Sequence, residues 1–163
     1  HLRISDGPIH SDLVPHGAAD LVLAVEPLES LRYVGYLRPG GALVASVDPF
    51  INIPDYPDKQ RVLEAIASLP NHTLIPAEQL ARAAGSARAQ NMVMLGAGSP
   101  FLGLREELLE AAIREAFAAK GEKLQKVNLD AFHAGKAAGE TYRQCVAKGM
   151  NAAAALELAG APR

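Results

Sequence analysis

Two apolar runs, DLVLAV at 20–25 and ALVASV at 42–47, stand on either side of one short helical pattern. No other part of the chain constrains its fold as strongly. Runs with so few polar positions suit strands covered on both faces, as in a parallel sheet with helices above and below. Pro27 is a favoured first residue of a helix. Leu28, Leu31 and Tyr33–Val34 continue a helical stripe, and Pro39-Gly40-Gly41 predicts its end. Strand, helix, strand is a βαβ unit, whose crossover is right-handed in nearly all proteins.

The rest of the chain extends this pattern. HLRIS at the start alternates like a short strand, Asp6-Gly7-Pro8 marks a turn, and Ile9–Ser11 reads as a brief extended piece. The proline-rich DPFINIPDYPDKQ reads as a surface loop. The segment after Pro57 is amphipathic, with Val62, Leu63, Ile66 and Leu69 on one side. HTLIPA at 72–77 is a third strand candidate, and AEQLARAAG is a short helix closed by Gly85. Residues 86–98 predict a helix from an N-cap at Ser86, and residues 104–121 and 122–135 predict two more. Residues 136–163 form an Ala-rich helical tail of weak pattern, suited to docking on a partner. The expectation is an α/β fold: a three-layer α/β/α domain over residues 1–135 with a mainly parallel sheet, strands mostly N-terminal and helices accumulating C-terminally.

Composition removes several function classes. The 163 residues suffice for one domain with a real core. With 16 basic and 18 acidic residues there is no basic field to attract nucleic acid. The apolar runs fall far short of the roughly 20 residues that span a membrane, and no secretory signal is visible. Cys145 is the single cysteine, so it can form no internal disulfide and cannot alone hold an iron–sulfur cluster. These features fit the cytoplasm. The chain opens at His1 rather than at methionine, and the reading expects a longer product with an upstream segment.

Chemistry-bearing residues are few. The five histidines form neither HxxxH nor HExxH, and His10 and His16, in one loop, read as solvated rather than metal-bound. GAGSPFLG at 96–103 follows a helix and matches no phosphate-binding loop, so a closely packed helix end explains it better. No nucleophile arrangement is recognisable, and neither a catalytic nor a metal site is assigned. Glu26 and Asp48 stand out, because each follows an apolar strand and precedes a proline. Ligands of open α/β sheets bind at that edge. The alternative is that each carboxylate accepts backbone N–H bonds from the next helix or turn. Asn91, inside an apolar helix, needs a partner for its amide, either a neighbouring loop or another chain.

Taken in order, HLRISDGPIHSDLVPHGAADLVLAVEPLESLRYVGYL, INIPDYPDKQRVL, AEQLARAAGSARAQNMVMLGAGSPFL and NLDAFHAG resemble the gamma-type subunits of 2-oxoacid:ferredoxin oxidoreductases. Within that family they are most similar to the small (beta) subunits of indolepyruvate ferredoxin oxidoreductases. The resemblance runs from His1 to about Gly135. It implies an accessory subunit of a thiamine-diphosphate enzyme that oxidatively decarboxylates a 2-oxoacid, makes acyl-CoA and reduces ferredoxin. It further implies that this chain binds no cofactor alone. Thiamine diphosphate, iron–sulfur clusters and coenzyme A belong to the complex, whose large catalytic subunit is the partner. Indolepyruvate or another aryl pyruvate is the first choice of substrate. A glycine-rich loop of the family falls before His1, so no residue here takes its role. Glu26 is expected to be mainly structural and secondarily part of the face that meets the catalytic subunit, with Asp48 and Asn91 as further interface or structural candidates. Two other readings are a free-standing α/β nucleotide-binding domain lacking its phosphate loop, and a non-catalytic scaffold.

Overall fold

The apolar runs form neighbouring parallel strands. In the computed structural model, which describes residues 1–51 and 54–161, β1 is Ala19–Ala24, β2 Leu37–Ser46 and β3 His72–Ile75, in the order β1-β2-β3. Leu21 to Ala24 pair in sequence with Ala42 to Ala45, and Leu43 to Ser46 with His72 to Ile75. The helices are α1 Pro27–Arg32, α2 Lys59–Ala67, α3 Ala77–Ala83, α4 Gln90–Gly98, α5 Glu106–Phe117, α6 Glu122–Ala147 and α7 Ala152–Gly160. The two βαβ helices α1 and α2 touch each other on one face of the sheet, and α4, α6 and α7 pack against the other. The α/β expectation with a parallel, N-terminal sheet therefore holds.

β2 is the central strand, and its pattern shows why. Leu43, Val44 and Ala45 are wholly buried. Around them lie Ile66, Ile75, Val93, Met94 and Tyr142, and burying a large apolar side chain fully is worth about 1.5–3 kcal/mol. α4 and α6 come into backbone contact where they cross at Gly96 and Gly135, with Met92 and Leu95 packed against Phe132 beside the crossing. A Cβ at Gly96 would lie 1.9 Å from the Phe132 carbonyl oxygen, and one at Gly135 would lie 1.9 Å from that of Val93. Glycine is required there for close approach, not for turning. The run 96–103 is thus a closely packed helix end followed by a 3-10 turn at Ser99–Phe101.

Several expected elements differ. Residues 1–5 and 9–11 form no strand: among the described residues none runs beside them to complete a ladder, and Leu2, Ile4 and Ile9 stay exposed. β1 is the edge strand, covered by α1 on one face and α4 on the other as expected, but its open edge leaves it less buried than β2, with Leu23 37% exposed. Pro39-Gly40-Gly41 does not end a helix. α1 has already stopped at Arg32, and these residues bulge out of β2 between the Ala19–Leu37 and Leu21–Ala42 pairs. Gly40 takes φ +78°, and a Cβ at Gly41 would approach the Ala19 carbonyl oxygen to 2.9 Å, so the bulge needs both glycines. The helix expected from Ser86 begins as a 3-10 turn at Ala87–Ala89 and becomes α4 only at Gln90. α6 runs unbroken through residue 135 and brings Tyr142 fully into the core.

Candidate functional site

Parallel pairing carries the ends of β1 and β2 to the same edge of the sheet, and Glu26 and Asp48 follow them there. Glu26 is extended, with φ −138° and ψ 128°, and caps α1. Its Oε2 accepts from the Glu29 N–H at 2.7 Å, a donor left free in the first turn after Pro27. Its Oε1 accepts from the Tyr56 hydroxyl, which comes from the loop between β2 and α2. Burial above all, then the hydrogen bond to Glu26 and its charge, push the Tyr56 hydroxyl up to about 12, so it serves as a donor.

Asp48 caps a helix from a distance. The Ser46 hydroxyl donates to its Oδ2 at 3.0 Å, and the Asp48 N–H donates to Ser46 Oγ at 3.1 Å. The same Oδ2 accepts from the Glu78 N–H at 2.7 Å. The N-cap residue of α3, Pro76, makes no side-chain capping bond, and Asp48 fills that place.

Between these two carboxylates lies an open cleft of about 640 Å³. Val25 and Leu28 line one side, Pro49, Phe50 and Tyr56 another, and Gln90 and Asn91 of α4 a third. Glu29, Arg32 and Glu78 complete it. Asn91 is exposed in the first turn of α4 rather than enclosed in an apolar helix, because that helix begins at Gln90. All three residues singled out in the sequence therefore share one cleft. Tyr56, Phe50 and Glu78 were missed. Only the proline-rich setting of Tyr56 hinted at a loop folded against something. The lining offers carboxylates, amides, a tyrosine hydroxyl and apolar surface, which is equipment for recognition.

The loop histidines do not pair: His16 stacks on Tyr36 with centroids 4.1 Å apart, and its Nδ1 lies 3.3 Å from the Gly35 carbonyl oxygen. A second polar cluster joins α5 to α6. Ligand-type atoms of Glu106, Glu110 and His133 lie within 4.8 Å of one another. Lys136 pairs with Glu106, while His133 and Arg114 lie 3.2 and 3.7 Å from Glu110. Each carboxylate already faces a basic group, so the cluster reads as an ion-pair network.

Residues 1–138 match the family described as pyruvate ferredoxin/flavodoxin oxidoreductase. The chain belongs to that family. Among curated relatives, the indolepyruvate oxidoreductase subunit IorB of Pyrococcus horikoshii is 31% identical over 151 residues, covering 86% of this chain and 73% of the relative. The IorB of Methanothermobacter thermautotrophicus is 34% identical over 142 residues, covering 82% and 71%. A solved 2-oxoglutarate:ferredoxin oxidoreductase from Magnetococcus marinus, with 2-oxoglutarate, coenzyme A and succinyl-CoA bound, is 28% identical with a TM-score of 0.56. That likeness covers 80% of this chain and 21% of the larger one, so this oxidoreductase-family chain corresponds to about a fifth of that protein. The family match ends at residue 138, inside α6. No helix among the described residues is long and apolar enough to cross a membrane.

Proposed function

We propose that the chain is the accessory small subunit of a cytoplasmic, thiamine-diphosphate-dependent 2-oxoacid:ferredoxin oxidoreductase. The complex converts a 2-oxoacid and coenzyme A to acyl-CoA, carbon dioxide and a proton, and two electrons pass to ferredoxin. Indolepyruvate or another aryl pyruvate is the favoured substrate. The observation that carries this reading is the similarity to IorB small subunits over most of the chain.

Neither the single cysteine nor the cleft fits the cofactors of that reaction. One cysteine cannot ligate a cluster alone. The cleft carries four carboxylates and one guanidinium, the wrong sign for a diphosphate. Thiamine diphosphate, the iron–sulfur clusters and the coenzyme A diphosphate are therefore assigned to other parts of the complex, and no chemical step is routed through this chain. Its part is to complete the assembly, with the edge bearing Glu26, Asp48 and Asn91 turned toward the large catalytic subunit.

The test is turnover of 2-oxoacids with a viologen acceptor, with and without the large subunit. The isolated chain should be inactive, and adding it to the large subunit should raise turnover. Activity of the chain alone, or turnover indifferent to its omission, would refute the proposal.

A further inference from the structure

We infer that the cleft, with Phe50 and Ile51 in front of it, is a docking surface for a segment of the catalytic partner that carries a basic side chain beside apolar ones. This rests on the proposed role as an accessory subunit and adds the chemistry of the contact. Phe50 and Ile51, consecutive on that loop, are 72% and 69% exposed, and Val25 at the end of β1 is 53% exposed. Apolar surface gathered on one edge marks an interaction site. The loop that carries it is tied down at both ends, by Asp48 to Ser46 and Glu78 and by Tyr56 to Glu26. Phe50 and Ile51 follow directly on the Asp48 tether, which lowers the ordering cost of binding.

The charge behind this rim selects the occupant. Arg32 is paired with Glu29, and Arg82 with Glu78. Among the described residues no lysine or arginine pairs with Glu26 or Asp48, and Asp48 Oδ1 accepts no hydrogen bond. A second copy of this chain is a poor occupant, because a twofold contact would set these carboxylates against themselves. A diphosphate-bearing ligand meets the same repulsion. A guanidinium or ammonium group suits the place. It can bond to the free carboxylate oxygen and lie against the faces of Phe50 and Tyr56, while its apolar neighbours cover Ile51 and Val25.

The experiment measures association of the full chain with its large subunit by biolayer interferometry, at about 50 and about 300 mM salt. The double variant Glu26→Gln/Asp48→Asn should weaken binding at least about tenfold at low salt and flatten its salt dependence. Phe50→Ser should weaken binding to a similar degree, about tenfold, and keep the salt dependence. Thermal unfolding checks each variant. Should the double variant lose its helix caps and fail to fold, Phe50→Ser, at an exposed position, decides alone. Wild-type affinity and salt response in the folded variants would overturn the inference while leaving the accessory role standing. Self-association of the wild type that Phe50→Ser abolishes would overturn it too. Failure of the wild-type chain to bind the large subunit at all would instead remove the proposed function.

Discussion

Asp48 caps a helix to which it does not belong: its Oδ2 accepts the Glu78 N–H at 2.7 Å, thirty residues further along the chain. The bond ties the exit of the central strand to the start of α3. Replacing Asp48 with alanine should destabilise the protein by about 0.5–2 kcal/mol, as for other lost caps. Asp48→Asn keeps an accepting oxygen and should cost less. Urea unfolding of the two variants checks the order, and equal losses would argue that the charge rather than the cap is what matters.

Tyr142 and His72 form a second long-range bond inside the core. His72 Nδ1 lies 2.7 Å from the Leu69 carbonyl oxygen and so carries the proton, which leaves Nε2 to accept from the Tyr142 hydroxyl at 3.0 Å. Tyr142→Phe fills the same space but strands a buried acceptor, which costs about 1–3 kcal/mol. A fall in thermal midpoint is expected. A midpoint unchanged from wild type would mean that the hydroxyl contributes nothing.

The helix crossing sets a harder limit. Gly135→Ala would drive a methyl group into the Val93 carbonyl oxygen of α4, and Gly96→Ala would drive one into that of Phe132. Both sites are backbone against backbone, so neither can relax by a rotamer change. Each substitution should cost at least the upper end of the roughly 1–3 kcal/mol usual for overpacking. Gly103→Ala offers a comparison on a different ground, since its added Cβ meets nothing within 4 Å and its positive φ is the only strain. Soluble yield and circular dichroism melts of the three variants separate the two effects.

Alkaline pH should weaken the fold through tyrosine. Burial, aided by Glu26, pushes Tyr56 up to about 12, and burial pushes Tyr142 up as well. An unfolded tyrosine loses its proton near pH 10. Between that value and the folded one, the unfolded state binds fewer protons, so stability falls as pH rises. The contribution is complete below about pH 10 and is lost through about pH 12. Unfolding midpoints across that window should drop less steeply for Tyr56→Phe than for the wild type. Parallel curves would show that Tyr56 titrates alike in both states.

Pattern made the sheet legible and left its surroundings partly unread. The apolar runs around Val22 and Leu43 read as strands and the one around Leu74 as a strand candidate, and parallel order followed from the helix between the first two. Glu26 and Asp48 were visible because each ends such a run. Tyr56 was not, because its partner lies thirty residues away and only strand adjacency brings the two together. HLRIS has the alternation of a strand, but alternation supplies no neighbour. Gly135 looked like the end of a helix and is instead a contact point inside one of 26 residues. Local composition cannot separate a glycine that breaks a helix from one that lets two helices touch.

That touching has a mechanical result. Side chains between packed helices act as a cushion, since rotamers can shift to absorb small displacements. Where Gly96 and Gly135 bring α4 and α6 into backbone contact there is nothing to compress. A push on α6 therefore meets α4 through backbone at these two points, and α4 carries Gln90 and Asn91 of one wall of the cleft at its other end. The stretch of α6 beyond the family match is thus joined to the cleft by a contact with little give at its crossing.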